Sequence, residues 1–97
     1  MFSWDEAKNE SNKRKHGVSF EAAKLVFDDP LHMTRQDCIE NGERRWQTVG
    51  MVGEMLLFVA HTWHEIEIGE HIRIISARRA TKLERRIYET QVTRIYP

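Results

Sequence analysis

The sequence predicts an α+β domain in which helices pack on one antiparallel sheet, in the order β-α-α-β-β-β-β-α. Two segments ahead of Pro30 and one after Ala80 carry helix formers with helix start and stop signals. Between them lie four runs of strand length, separated by short turns that suit antiparallel neighbours. Apart from Pro30 the only proline is Pro97, and no repeat or low-complexity stretch interrupts the pattern, so residues 1–97 read as one domain.

Met1 to Trp4 predicts a short first strand. Asp5 to His16 is rich in helix formers and ends at Gly17, suited to a left-handed helix terminus; Ser3 or Asp5 can cap its start. The result is a short, very polar helix. Ser19 caps a second helix, whose Phe20, Ala23, Val26 and Phe27 recur at helical spacing until Asp28-Asp29-Pro30 stops it.

Leu31 to Cys38, Arg44 to Met51, Met55 to Trp63 and His71 to Ala77 are the four later strands. Residues 55–60, Met-Leu-Leu-Phe-Val-Ala, are apolar at every position, as expected of a central strand covered on both faces. Thr81-Lys82-Leu83-Glu84 has the capping-box pattern and starts the last helix near Lys82. Leu83 and Ile87 are four apart and are expected to pack that helix on the sheet, with Arg85, Arg86 and Tyr88 on its flanks.

Hydrophobic residues make up 40% and charged residues 31% of the chain, which excludes a disordered polyelectrolyte. No apolar run approaches the roughly 18 residues needed to span a bilayer, and Met1 to Glu6 lacks the basic and then apolar start of a signal peptide. A lone Cys38, unable to form an internal disulfide, fits a reducing compartment and reads as inert. Together these point to a cytoplasmic protein with no membrane association.

The net charge is zero, but residues 37–71 hold two basic and seven acidic residues, whereas residues 72–97 hold seven basic and two acidic. That asymmetry suggests a local anionic ligand. Strand alternation is expected to put Arg73 and Arg79 on one face and Arg78 on the other. Arg78 and Arg79 precede a helix start, where free N–H groups and the helix dipole favour an anion, and guanidinium groups bind phosphate oxygens bidentately. The bland alternative pairs these arginines with the acidic middle segment.

Metal-free RNA cleavage requires a proton acceptor for the 2′-hydroxyl, a donor to the leaving oxygen and cations for the charge on the phosphoryl oxygens. Lys15, His16 and Tyr88 are candidates for the proton transfers, with Arg73, Arg78 and Arg79 as the cations. Lys82 and Arg85 are candidates for RNA binding. A histidine just before the glycine of a helix terminus, as His16 is, more often serves simply as a cap, and the acid and base stay open among the three. His61 and His64 fall on opposite faces at strand spacing and lack a third ligand, so no metal or other cofactor is expected. Trp46 and Trp63 are suited to stacking on bases, but more often serve as core or partner-facing sheet residues.

Taken together, Phe2-Ser3-Trp4-Asp5, the run from Asn12 to Ala22 containing Lys15-His16-Gly17, Val26-Phe27-Asp28-Asp29-Pro30, residues 42–45 and the run Ile72 to Ala80 leading to Glu84-Arg85 and Tyr88 resemble the BrnT toxins of bacterial type II toxin–antitoxin modules. The resemblance implies a RelE-like fold and a ribonuclease (a hydrolase in keyword terms) that inhibits translation. It also implies a BrnA-type antitoxin with a ribbon-helix-helix domain, through which alone operator DNA is bound. The family's strand-end arginines match Arg78 and Arg79, and its Lys-His-Gly turn matches Lys15, His16 and Gly17. The acidic segment His64 to Glu70 departs from the short turn common in the family and suits contact with a basic antitoxin segment. A different function class, a non-catalytic module acting as corepressor with its antitoxin, is the alternative to the enzyme.

Overall fold

A computed structural model describes residues 1–96. Strand β1 (Phe2–Ser3) leads into helix α1 (Glu6–His16), a short helix α2 (Phe20–Ala23) and a 3-10 turn (Lys24–Asp28). Five strands follow, β2 (Met33–Glu40), β3 (Glu43–Val52), β4 (Met55–His61), β5 (His64–Glu65) and β6 (Glu70–Arg79), before helix α3 (Lys82–Ile95). The sheet order is β1-β6-β4-β3-β2, with β5 also paired to β6.

The α+β class holds, with three corrections to the expected arrangement. The sheet is mixed, because β1 runs parallel to β6 while the other pairs are antiparallel. An additional two-residue strand, β5, pairs His64 with His71 and Glu65 with Glu70 inside the segment expected to be a turn. The second helix gives way to a 3-10 turn after one turn, which brings Val26 against β3. There a Cβ added at Gly50 would lie 2.8 Å from the Val26 carbonyl oxygen, so glycine is what permits the approach.

Each helix start has its side-chain cap: Asp5 accepts from the Lys8 amide, Ser19 from Ala22, and Thr81 and Glu84 form the reciprocal capping box. Gly17, at φ 70°, closes α1 by donating to the Lys13 carbonyl. Asn41 and Gly42, at φ 53° and 76°, make the tight β2–β3 turn.

The core lies between the sheet and the α1–α2 layer, where Val18, Phe20, Ala23 and Val26 pack on Leu57, Val59, Ile74 and Ala77. Helix α1 has no apolar stripe; asparagines dock it instead. Buried Asn12 donates to the Val18 and Ala77 carbonyls and accepts from the Ala77 amide, while buried Asn9 accepts from the Phe20 amide and donates to Glu6 and Glu21. These bonds satisfy backbone groups that would otherwise be stranded away from water.

β4 is central, but only its α1-facing side is sealed. On the other side Leu56 is buried, while Phe58 and Ala60 remain half-exposed. Helix α3 borders that second face, and its inward residue is not the expected one. Leu83 is 63% and Ile87 37% exposed, whereas Tyr88 is 7% exposed and donates to Asp29. Asp29 sits at the end of the 3-10 turn and also accepts from the Met51 and Leu31 amides, so the Tyr88 hydroxyl ties α3 to an acceptor that the turn already holds in place.

Candidate functional site

The strand that carries the arginines contains an irregularity. Ala60 pairs with Ser76 but His61 pairs with Ile74, leaving Ile75 as an extra residue in β6. The extra residue inverts the alternation across it. Ile74 and Ala77 both face the core, so Arg73 and Arg78 share the α3 side of the sheet, and Arg79, paired with Leu57, faces the α1 side. The expectation that Arg73 and Arg79 share a face is thereby overturned. β6 also runs to Arg79, two residues past its expected end, so Arg78 and Arg79 belong to the strand itself.

On the α3 side, lateral pairing builds two rows across four strands. Met33, Val49, Phe58 and Arg78 form one; Arg35, Gln47, Ala60 and Ser76 form the next. A groove of about 190 Å³ opens between these strands and α3, with Gln47, Val49 and Phe58 on the sheet side and Glu84 and Ile87 on the helix side. Its rim carries Arg35 and Leu83. Arg78 lies with its guanidinium 4.0 Å from the centre of the Phe58 ring and forms a two-pronged contact with Glu84 at 2.8 and 3.0 Å. The hydrogen bonds that Arg78 donates to Glu84 raise the Arg78 pKa further, and in return they hold the Glu84 carboxyl below the usual range.

Arg73 lies five residues, roughly 16 Å, down the strand from Arg78. It is engaged by Glu43, which is also approached by His64 and Arg45. Burial opposes ionisation of Glu43, but the charges of Arg73 and Arg45 and the hydrogen bonds from His64 and Arg73 hold its pKa below the ordinary value. Two of the three strand arginines are thus ion-paired, one with the acidic middle segment and one with α3. Arg79 is exposed and, among the described residues, has no carboxylate partner.

Lys15 and His16 are exposed in the basic last turn of α1, just beyond Asn12, whose amide is bonded to the Ala77 peptide. They therefore share the α1 side of the sheet with Arg79. Lys82 and Arg85 are exposed on α3 beside a shallow depression shared with Arg86 and Arg94. Tyr88 stands apart from both groups. Burial, together with its hydrogen bond to Asp29 and that residue's charge, pushes its pKa up to about 12.

The sequence reading missed Arg35, Gln47, Phe58 and Glu84 as members of the arginine face. Glu84 was visible only as a capping residue, and no local signal shows that its carboxylate also reaches back to the strand. Phe58 and Arg78 meet through the β4–β6 register, which depends on the bulge.

Fold and site define a small α+β domain with an open, arginine-lined sheet face and a further cationic strand end. The chain belongs to the BrnT family, the ribonuclease toxins of type II toxin–antitoxin systems, whose family model matches residues 4–84. That span takes in every site residue named above except Arg85, Arg86, Ile87, Tyr88 and Arg94. Membership in a two-component system implies an antitoxin partner. Comparison with curated protein sequences finds no match. No helix among the described residues is long and apolar enough to cross a membrane.

Proposed function

We propose that this chain is a RelE-like, metal-independent endoribonuclease that inhibits translation in the cytoplasm and is neutralised by a BrnA-type ribbon-helix-helix antitoxin. The observation that carries the reading is Arg79, an exposed guanidinium at the strand end with no carboxylate partner among the described residues, on the same side of the sheet as Lys15 and His16. A permanently charged, unpaired group of this geometry suits a phosphodiester.

In the proposed reaction the RNA 2′-oxygen attacks the adjacent phosphorus as its proton passes to a base. The bond to the 5′-oxygen breaks, and that oxygen takes a proton from an acid, leaving a cyclic phosphate and a 5′-hydroxyl. Arg79 stabilises the charge on the phosphoryl oxygens, and His16 and Lys15 are the candidates for proton transfer. Arg78 orders the junction through Glu84 and Phe58, and Arg73 contributes positive charge farther along the strand once RNA competes with Glu43. Lys82 and Arg85 bind the flanking backbone. In this reading Tyr88, whose proton is committed to Asp29, ties α3 in place.

Purified protein should cleave RNA in EDTA, and Arg79→Ala should lower the cleavage rate about 100-fold or more while leaving the unfolding midpoint unchanged. Full activity in a folded Arg79→Ala variant removes the site assignment; absence of cleavage by the wild-type chain removes the enzyme.

A second reading, a non-catalytic corepressor that holds its antitoxin, is favoured by Leu83 and Ile87, apolar side chains left exposed on α3 beside the groove. Growth on expression of the chain alone separates the two: arrest supports the enzyme, unaffected growth the binding role.

A further inference from the structure

On the reverse of the sheet from the arginine face lies a cavity of about 460 Å³, walled by the rings of Phe27 and Trp63 and bordered by His32, Thr34, His61 and Glu70. Its polar side chains form a hydrogen-bond chain whose direction is determined. His61 is buried, and its Nδ1 lies 2.9 Å from the Thr62 carbonyl, an acceptor, so Nδ1 carries the proton. Nε2 of the neutral ring therefore accepts, and its partner at 2.7 Å, the Thr48 hydroxyl, must donate. Having spent its one proton, Thr48 accepts from Thr34, 2.7 Å away. Thr34, half-exposed at the cavity wall, thus has only lone pairs left to offer a ligand.

The other side chains repeat that polarity. His32 turns Nδ1 to the Asp29 carbonyl at 2.7 Å, which makes that nitrogen the donor and leaves Nε2 of the neutral ring as an acceptor. Glu70 adds a carboxylate. The Trp63 indole N–H and the Met1 ammonium are donors on the lining. The side formed by Thr34, His32 and Glu70 offers acceptors, and between ring walls it favours a flat ligand that donates.

We propose that this cavity binds a planar nitrogen heterocycle bearing an exocyclic amine, the chemistry shared by cytosine and adenine and absent from uracil and hypoxanthine. Nothing in the cleavage scheme uses this cavity, and it lies across the sheet from the groove beside Arg78. The same chemistry is offered by a free nucleotide and by a base of a bound strand. The inference leans on the RNA-cleaving reading only for the second of these sources.

The test is an NMR titration of the wild-type chain with cytidine, uridine, adenosine and inosine 5′-monophosphates, followed through the Trp63 indole and the Thr34 amide. Octamers of 2′-O-methyl cytidine and uridine, which cannot be cleaved through the 2′-oxygen, make the second arm. Cytidine and adenosine should bind at least about tenfold more tightly than their oxo counterparts, because an oxygen facing Thr34 and Glu70 loses a hydrogen bond and gains a repulsion. Thr34→Val should erase the preference, and Thr34→Ser, which keeps the hydroxyl, should retain it.

Tighter binding of the cytidine octamer than of the mononucleotide identifies a strand as the source; equal binding identifies the free nucleotide. Equal affinity for amino and oxo partners, or shifts that spare Trp63 and Thr34, overturns the proposal. Because none of these readouts involves cleavage, the cavity and the ribonuclease reading fail independently of each other.

Discussion

Arg78 and Glu84 face each other across the junction of β6 and α3 with both carboxylate oxygens engaged, at 2.8 and 3.0 Å. One of those oxygens also accepts from the Thr81 amide, so a single carboxylate caps the helix and anchors the strand end. Glu84→Gln keeps the shape of the cap but removes the charge from both contacts. We expect a loss of about 1 kcal/mol, reduced from a buried pair's worth because the Arg78 side chain is 35% exposed. Chemical denaturation measures it; an unchanged midpoint would show that solvent already screens the pair.

Asn12 should be far less replaceable. Removing its side chain in Asn12→Ala strands the amide and carbonyl of Ala77 beneath α1, with the Val18 carbonyl as a third casualty. The expected destabilisation is about 2–4 kcal/mol, and the amides of α1 should lose hydrogen-exchange protection ahead of those in β4. Equal loss of protection in both elements would mean that Asn12 does not specifically dock α1.

Tyr88→Phe separates a structural hydroxyl from a catalytic one. Asp29 would retain its bonds from the Met51 and Leu31 amides but lose the Tyr88 donor, at a stability cost of about 1–2 kcal/mol. RNA cleavage per folded molecule should stay within about twofold of wild type. A hundredfold loss at unchanged stability would return Tyr88 to the reaction.

His61 gives stability a pH dependence of predictable sign. Burial lowers its pKa from the ordinary value of 6.5, against the raising effect of its bond to the Thr62 carbonyl. The unfolded chain therefore takes up this proton before the folded one does. His61 contributes full stability above pH 6.5, and that contribution falls as the pH drops from there towards the folded pKa. Denaturation midpoints between pH 7.5 and about 5 should show the slope for wild type and a flatter curve for His61→Gln. Identical slopes would assign the effect to another group.

The parts of the fold that were legible in the sequence are those written in local chemistry. Gly17 after a run of helix formers, Ser19 ahead of Phe20, and Thr81 three residues before Glu84 each act within one turn, and each stands where it was read. What escaped depends on partners distant in sequence. A polar α1 is unremarkable until Asn12 meets Ala77, although two asparagines three apart inside a helix, where that residue is disfavoured, were a visible hint. Leu83 and Ile87 have helical spacing towards a core, yet α3 is rotated by the pull of Asp29 on Tyr88, 59 positions away. The arginine strand was found, but its sidedness was not, because nothing in Ile74-Ile75-Ser76 announces a bulge.

That bulge makes the arrangement of charge a matter of counting. Substituting Ile75 with another apolar residue leaves the tally of residues between Ile74 and Ala77 intact. Were Ile75 drawn into the ladder in plain alternation, with Ala77 to Arg79 held in register, the residues before it would reverse sides. Arg73 would turn away from Glu43, and Ile72 and Ile74 would turn out of the core. The side taken by each guanidinium thus depends on one residue being left out of the ladder, and this stretch should tolerate many spellings as long as that letter stays unpaired.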